Sequence, residues 1–192
     1  MSDFCDPVME AVAEVFCNGG DFVDMILAAK EAACMGINKI QLADLIKRVL
    51  IEADLYSPEA EELLILTVAQ ESQGGTYLRQ LGNGPALGIF QMEPATHDDI
   101  WENFLGYRES LGERILDVAG MFNGPDSKEL EYNFRYAILM ARMQYYRRRE
   151  PLPAVNDVKG RAVYWKIYYN TPSGAGTVSE AISNYERYCR AV

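Results

Sequence analysis

The sequence is poor in residues that bind metals. It has a single histidine, His97, and its four cysteines form no CxxC pair, so the ligand spacings of zinc sites are missing. We therefore expect no metal and no other cofactor, and we expect His97 at the surface or in the first turn of a helix. Two disulfides would use all four thiols, but a chain with a sizeable core favours reduced thiols in a reducing cytosol. The cysteines are Cys5, Cys17, Cys34 and Cys189.

Long apolar runs are also missing. No uncharged apolar stretch of about 18 residues occurs, so we expect no stable membrane insertion. The N-terminus, MSDFCDPVME, is acidic where a secretory signal would be basic and then apolar. From this pattern we expect synthesis in the cytoplasm without a signal peptide. The formal net charge of −10 and the lack of a recognisable binding module argue against a nucleic-acid partner.

Strand patterns are scarce, and helical spacing of apolar residues dominates the chain. At 192 residues and 49% hydrophobic content, the chain can bury one core, so we expect a single domain covering 1–192. Three short helices are predicted before residue 56. We assign 1–56 to an N-terminal helical extension and 57–192 to the main region. The fold class is therefore mainly α, with at most a small β element in the loop after Glu71.

Turn-forming residues divide the main region into further helices. Ser57 followed by Pro58 predicts an N-cap and a first-turn proline for a helix from about 58 to 71. A loop that can hold a short hairpin is predicted next, over 73–92. Helical spacing returns over 95–122 and, as one long amphipathic helix, over 127–150. The final part, 160–192, is predicted as a helix, a glycine-rich loop and a second helix.

Glu71 lies where the helix 58–71 gives way to Gln73-Gly74-Gly75. The unpaired carbonyls at a helix C-terminus disfavour a nearby carboxylate, so the pKa of Glu71 should be raised. Desolvation in a cleft would raise the pKa further, and the carboxyl could then stay protonated near neutral pH, as a general acid requires. On its position alone, Glu71 is better explained as an ordinary residue at a helix end, since glutamates end helices often.

Three motifs follow one another in a fixed order. They are Glu71-Ser72, then Gly88-Ile89-Phe90-Gln91-Met92, then Tyr168-Tyr169-Asn170-Thr171-Pro172-Ser173-Gly174. The set resembles the lytic transglycosylases and goose-type lysozymes, whose pattern is Glu-Ser, Gly-Leu-Met-Gln and Ala-Tyr-Asn-x-Gly, and in particular a phage-type member. The resemblance covers roughly residues 60 to 190. Phe90 in place of methionine, Tyr168 in place of alanine and a longer last loop depart from the pattern.

The resemblance implies a lysozyme-like fold for 57–192, with a cleft between helical lobes, and peptidoglycan glycan strands as substrate. Glu71 would be the single catalytic acid, which cleaves the β-1,4 bond between N-acetylmuramic acid and N-acetylglucosamine and leaves 1,6-anhydro ends. Substrate-binding roles are implied for the residues of the second and third motifs and for one later tyrosine. These residues are Ser72, Gly88, Phe90, Gln91, Tyr169, Asn170 and Tyr185.

Two other functions stay open. A lysozyme-type hydrolase acting on the same bond normally needs a second carboxylate, for which Glu93, Asp98 and Asp99 are candidates, although their sequence context favours the start of a helix. A non-catalytic virion structural protein with a lysozyme-like fold is the third possibility. Either enzyme would reach the wall as a virion component or with a holin-type partner. Residues 128 to 192 hold 11 basic and 6 acidic side chains, so Arg147-Arg148-Arg149 could face an anionic polymer.

Overall fold

The computed structural model describes residues 37–171 and 174–188. Within these ranges the chain is mainly helical and has no strand, which confirms the mainly α class. The two helices predicted before residue 36 and all four cysteines lie outside the described residues. The helices are α1 Lys39–Glu52, α2 Pro58–Ser72, α3 Pro94–Asn103, α4 Glu109–Ala119, α5 Glu129–Tyr132, α6 Phe134–Tyr146, α7 Val158–Trp165 and α8 Val178–Tyr188.

Side-chain caps start the first two helices where the sequence predicts them. Asn38 accepts hydrogen bonds from two backbone N–H groups in the first turn of α1, each at 3.1 Å. Ser57 Oγ accepts from the backbone N–H of Ala60 at 3.1 Å, and Pro58 occupies the first turn of α2, where a missing N–H costs nothing. Since these signals are local, the sequence was sufficient to place α2.

The helix α2 is central to the core. Every residue from Leu63 to Ala69 is buried, and α2 contacts α1, α6, α7 and α8. The helix ends because Gln73 adopts a left-handed conformation, with φ 52° and ψ 53°, and the N–H of Gly74 bonds back to the carbonyl of Val68. The terminus therefore presents Glu71 at the edge of the core instead of inside it.

The second buried helix is shorter than predicted. The sequence favoured one long helix over 127–150, but the chain breaks at Asn133, which adopts an extended conformation between α5 and α6. The Asn133 side chain accepts from the N–H of Tyr136 and donates to the carbonyl of Ala119 at 2.9 Å. Because this cap also ties α6 to the end of α4, a tertiary contact fixes the break. Helix α6 is then buried from Tyr136 to Tyr145.

The region between residues 94 and 119 contains two α-helices joined by a 3-10 turn, Leu105–Tyr107. His97 lies in the first turn of α3, as expected, but it is buried, with 2% exposure. Its Nε2 lies 2.6 Å from the hydroxyl of Tyr136, and its Nδ1 lies 2.7 Å from Asp98. The surface alternative for His97 is therefore wrong, because a hydrogen-bonded pair holds the imidazole between α3 and α6.

The loop between α2 and α3 contains no strand, although isolated bridges pair Leu87 with Arg79 and with Met92. Helix α7 continues into a π-helical turn, Lys166–Asn170, and a glycine-containing loop then leads to α8. Helix α1 packs into the same core as the main region, with Leu42, Ile46 and Leu50 buried. No helix in the described part of the chain is long and apolar enough to cross a membrane.

Candidate active site

A cleft of about 590 Å³ opens where the end of α2 meets the loop 80–93 and the segment after α7. These three parts of the chain are far apart in sequence, and Gln144 of α6 adds a fourth polar contribution to the walls. The cleft therefore brings residues of all three motifs into a single surface, namely Glu71 of the first, Gln91 and Met92 of the second, and Tyr169, Asn170, Thr171 and Gly174 of the third. Its polar lining includes Glu71, Gln91, Glu93, Gln144, Tyr169 and Asn170.

Glu71 occupies the last turn of α2 and is partly buried at the cleft. Desolvation raises the pKa of its carboxyl from 4.5 to about 7, and a hydrogen bond from Trp165 acts in the opposite direction. The indole Nε1 of Trp165 donates to Glu71 Oε1 over 2.8 Å. Near neutral pH the carboxyl is thus divided between its protonated and charged forms, which suits proton transfer in both directions.

A tight turn delivers Gln91 to the cleft. The backbone N–H of Gln91 bonds to the carbonyl of Gly88, and Leu87 and Met92 exchange two backbone hydrogen bonds of 3.0 Å. Gln91 has a φ of 46°, and its side-chain Nε2 donates to the same carbonyl of Gly88 at 2.8 Å. The amide is therefore held on its own turn through its nitrogen, and its Oε1 can act as a hydrogen-bond acceptor.

Gly88 is required for packing within the protein. Its φ is +73°, and an added Cβ would lie 1.9 Å from the carbonyl oxygen of Leu130. No side chain fits there, so the loop after α2 can approach the start of α5 only with glycine at this position. The close backbone approach that Gly88 allows is thus made to Leu130, and Gly88, for which the resemblance implied substrate binding, does not line the cleft.

The π-helical turn presents Tyr169 and Asn170 at the opposite wall. The Tyr169 hydroxyl donates to the carbonyl of Phe90 at 2.9 Å, which links the third motif to the second. Lys166 Nζ donates to Asn170 Oδ1 and to the carbonyl of Gly174, both at 2.7 Å. Since an ammonium group only donates, the Asn170 oxygen faces Lys166 and the Nδ2 donor faces elsewhere. A widened turn of this kind is frequent at functional sites.

Three further residues of the implied set do not line the cleft. Ser72 has no exposed surface, and its Oγ lies 2.6 Å from the carbonyl of Ile89 and accepts from the N–H of Gly75. Phe90 is 1% exposed and belongs to the core. The hydroxyl of Tyr185 donates to Glu62 at 2.7 Å, behind α2. Their side chains are instead bonded or packed within the protein.

Trp165 and Gln144 are polar residues at the site that were not among the sequence-based candidates. Trp165 contacts Glu71 directly and is fully buried. Gln144 lines the cleft from α6, and it is fixed at both ends, because its Nε2 donates to the carbonyl of Tyr168 and its Oε1 accepts from Arg147 at 2.6 Å. In the sequence, Trp165 lies one helical turn before Tyr168-Tyr169, so it could have been placed on the same helix face as the third motif. Without the fold, this spacing is only weak evidence for a role at the site.

The three candidate second carboxylates have different surroundings. Glu93 is exposed, lines the cleft and precedes α3 without making a side-chain cap. Asp98 pairs with His97, and Asp99 pairs with Arg147 at 2.5 Å, so neither lines the cleft. The Arg147 side chain is only 16% exposed in that pair, and it therefore presents little charge to a polymer.

In residues 37–171 and 174–188 no group of three or more histidine, cysteine or acidic side chains could hold a metal ion. The polar side chains of the cleft are instead two carboxyl groups, Glu71 and Glu93, with amides and a tyrosine. Comparison of the chain with protein-family models, with curated proteins and with solved structures gave no match.

Proposed function

We propose that this protein is a lytic transglycosylase with a lysozyme-like fold, which cleaves the bond between N-acetylmuramic acid and N-acetylglucosamine in peptidoglycan. The observation that carries the proposal is the meeting of Glu71, Gln91, Tyr169 and Asn170 in one cleft. Residues separated by up to 99 positions in the sequence thereby share one surface, in the combination on which the family resemblance rests.

In the proposed reaction Glu71 begins as a neutral acid. Its proton passes to the glycosidic oxygen while the bond from that oxygen to C1 of the muramic acid breaks, and the electrons of that bond stay on the leaving oxygen. The Glu71 carboxylate then takes the proton of the sugar's 6-hydroxyl as that oxygen attacks C1. The ring closes as a 1,6-anhydro product, no water is consumed, and Glu71 returns to its neutral form.

The pKa of Glu71 supports both halves of this cycle. A carboxyl with a pKa of about 7 gives up its proton more readily than a more basic group and takes one back more readily than an ordinary glutamate. Burial causes this pKa, so the property depends on the position of Glu71 at the cleft floor.

The amides at the walls suit an N-acetylated sugar. Gln91 has its Nε2 bound to Gly88 and offers an acceptor, whereas Asn170 has its Oδ1 bound to Lys166 and offers a donor. An acetamido group has one N–H donor and one carbonyl acceptor. The two walls thus carry the complementary pair that such a group requires, and Tyr169 adds a ring beside them.

One observation favours the hydrolase as a second candidate. Glu93 lines the same cleft as Glu71, is exposed, and forms no side-chain cap on α3. A carboxylate across the cleft could activate a water or stabilise the transition state, as in lysozyme-type mechanisms. The two candidates differ in product and in the effect of removing Glu93.

Digestion of purified peptidoglycan, followed by mass analysis, tests the proposal. We expect muropeptides one water lighter than hydrolysis products, loss of at least about 100-fold of the rate in Glu71→Gln, and a smaller effect of Glu93→Gln. Glu102→Gln is the matched control, because Glu102 is exposed on α3 outside the cleft. Hydrated ends together with a large effect of Glu93→Gln would establish the hydrolase. Equal wall clearing by Glu71→Gln and the parent would refute both enzymes.

A further inference from the structure

Trp165 is joined to the catalytic acid of the proposed reaction, and this further inference rests on that function. We propose that Trp165 is a positioning residue that decides which oxygen of Glu71 carries the transferred proton. Its Nε1 donates to Oε1 at 2.8 Å, and no other hydrogen bond to this carboxyl is found within residues 37–171 and 174–188.

The indole is held rigidly in place. Trp165 has no exposed surface and ends α7, immediately before the π-helical turn that carries Tyr169 and Asn170. The loop before α8 closes over the ring at Gly176, where an added Cβ would lie 2.7 Å from the indole Cη2. The ring therefore has little freedom to turn away from Glu71.

The chemistry of an indole fixes the direction of this bond. Its N–H donates and has no lone pair to accept with, so Oε1 must act as the acceptor in both protonation states. In a neutral carboxylic acid the carbonyl oxygen is the better acceptor of the two, and the proton consequently resides on Oε2. Once that proton has moved to the glycosidic oxygen, the same N–H bonds a charged carboxylate, and charge-assisted bonds are the stronger kind.

The bond thus serves both steps of the cycle. In the first step it reserves Oε2 for the proton that is delivered to the substrate. In the second step it stabilises the carboxylate while Oε2 takes the proton of the 6-hydroxyl. Without the N–H, the proton could occupy either oxygen and the carboxyl would hold it more tightly, so proton delivery should slow and shift in pH.

The other titratable groups near Glu71 do not perform the role proposed for Trp165. Tyr145 lies 2.7 Å from Thr67 through its hydroxyl, and the Tyr169 hydroxyl donates to Phe90. Burial raises the pKa of both tyrosines well above the usual range, so both stay protonated where Glu71 titrates. From the other elements at the cleft, Glu93 faces the same space and Lys166 is bound to Asn170.

Replacement of the indole by a ring without a donor tests the inference in the enzyme. In Trp165→Phe we expect kcat to fall about tenfold, KM to change little, and the alkaline limb of the kcat/KM profile to move up by about one pH unit. Trp101→Phe is the matched control, because Trp101 makes the same type of bond, at 2.8 Å to Tyr136, outside the cleft. An unmoved alkaline limb in Trp165→Phe would overturn the inference.

A second measurement needs neither substrate nor the variant at 165. The chain has two tryptophans, so Trp101→Phe leaves Trp165 as the sole tryptophan, whose emission can be excited selectively over that of the tyrosines. Its fluorescence should titrate with a midpoint of about 7, and the transition should vanish when Glu71→Gln is added. No transition would refute the coupling, even in an active enzyme. A transition in a protein that leaves peptidoglycan intact would instead keep the coupling and refute the proposed function.

Discussion

Burial of the Glu71 carboxyl should make the folded protein less stable whenever that group is charged. Its pKa is about 7 in the folded state and 4.5 when exposed to solvent, so the folded state binds the proton more tightly. The stability is therefore highest below about pH 4.5 with respect to this group, and it falls as the pH rises through 7. One pKa unit corresponds to about 1.4 kcal/mol, so the whole interval corresponds to roughly 3 kcal/mol.

Glu71→Gln removes this penalty because the amide is neutral at every pH and still offers an oxygen to the Trp165 N–H. We expect the variant and the parent to unfold with nearly equal free energies at pH 4. At pH 8.5 the variant should be more stable by roughly 3 kcal/mol. The proposed catalytic acid would thus reduce stability near and above neutral pH.

Urea unfolding of both proteins at half-unit steps from pH 4 to pH 9 measures this effect. The other titrating groups contribute to both curves, so the difference in the free energy of unfolding isolates Glu71. For Glu102→Gln, with its exposed side chain on α3, the difference in the free energy of unfolding from the parent should not change with pH. A flat or falling difference for Glu71→Gln between pH 5 and pH 8 would show that the carboxyl is not desolvated, and the argument for a general acid would fail.

Two further substitutions test the framework around the cleft by chemical unfolding. Gly88→Ala should lower the free energy of unfolding by at least about 3 kcal/mol, because its Cβ would meet the Leu130 carbonyl at 1.9 Å. The control Gly82→Ala, at φ +77° with open space around it, should lower it by only about 1 kcal/mol. Equal costs would contradict the packing role of Gly88. Glu62→Ala should cost about 3 kcal/mol, since it leaves the buried Arg161 without its charge partner at 3.2 Å, and a loss below 1 kcal/mol would contradict this.

Local chemistry explains the parts of the fold that the sequence predicts well. The cap at Ser57, the proline after it and the glycines after Gln73 set both ends of α2, and each acts through its immediate neighbours. Such signals need no knowledge of the rest of the chain. The position of Glu71 at a helix end could be predicted for the same reason, whereas its raised pKa comes from burial and so depends on the tertiary structure.

Contacts between distant segments explain the parts that the sequence did not predict. The break at Asn133 depends on its bond to the carbonyl of Ala119, and the burial of His97 depends on Tyr136. Apolar spacing cannot reveal either contact. Motif matching likewise placed Ser72 and Phe90 among the ligand-binding residues, although their partners are backbone atoms and core side chains within the protein.

The sequence by itself determined the helical class, the end of α2 and the identity of the candidate acid, because hydrogen bonds and backbone preferences over a few residues decide them. Only the tertiary structure decided which residues face the cleft. Trp165 became the partner of Glu71 because α7 packs on α2, and Tyr169 and Asn170 reached the opposite wall through a π-helical turn. A side chain's neighbours across the core depend on packing of the whole chain, and no short stretch of sequence contains that information.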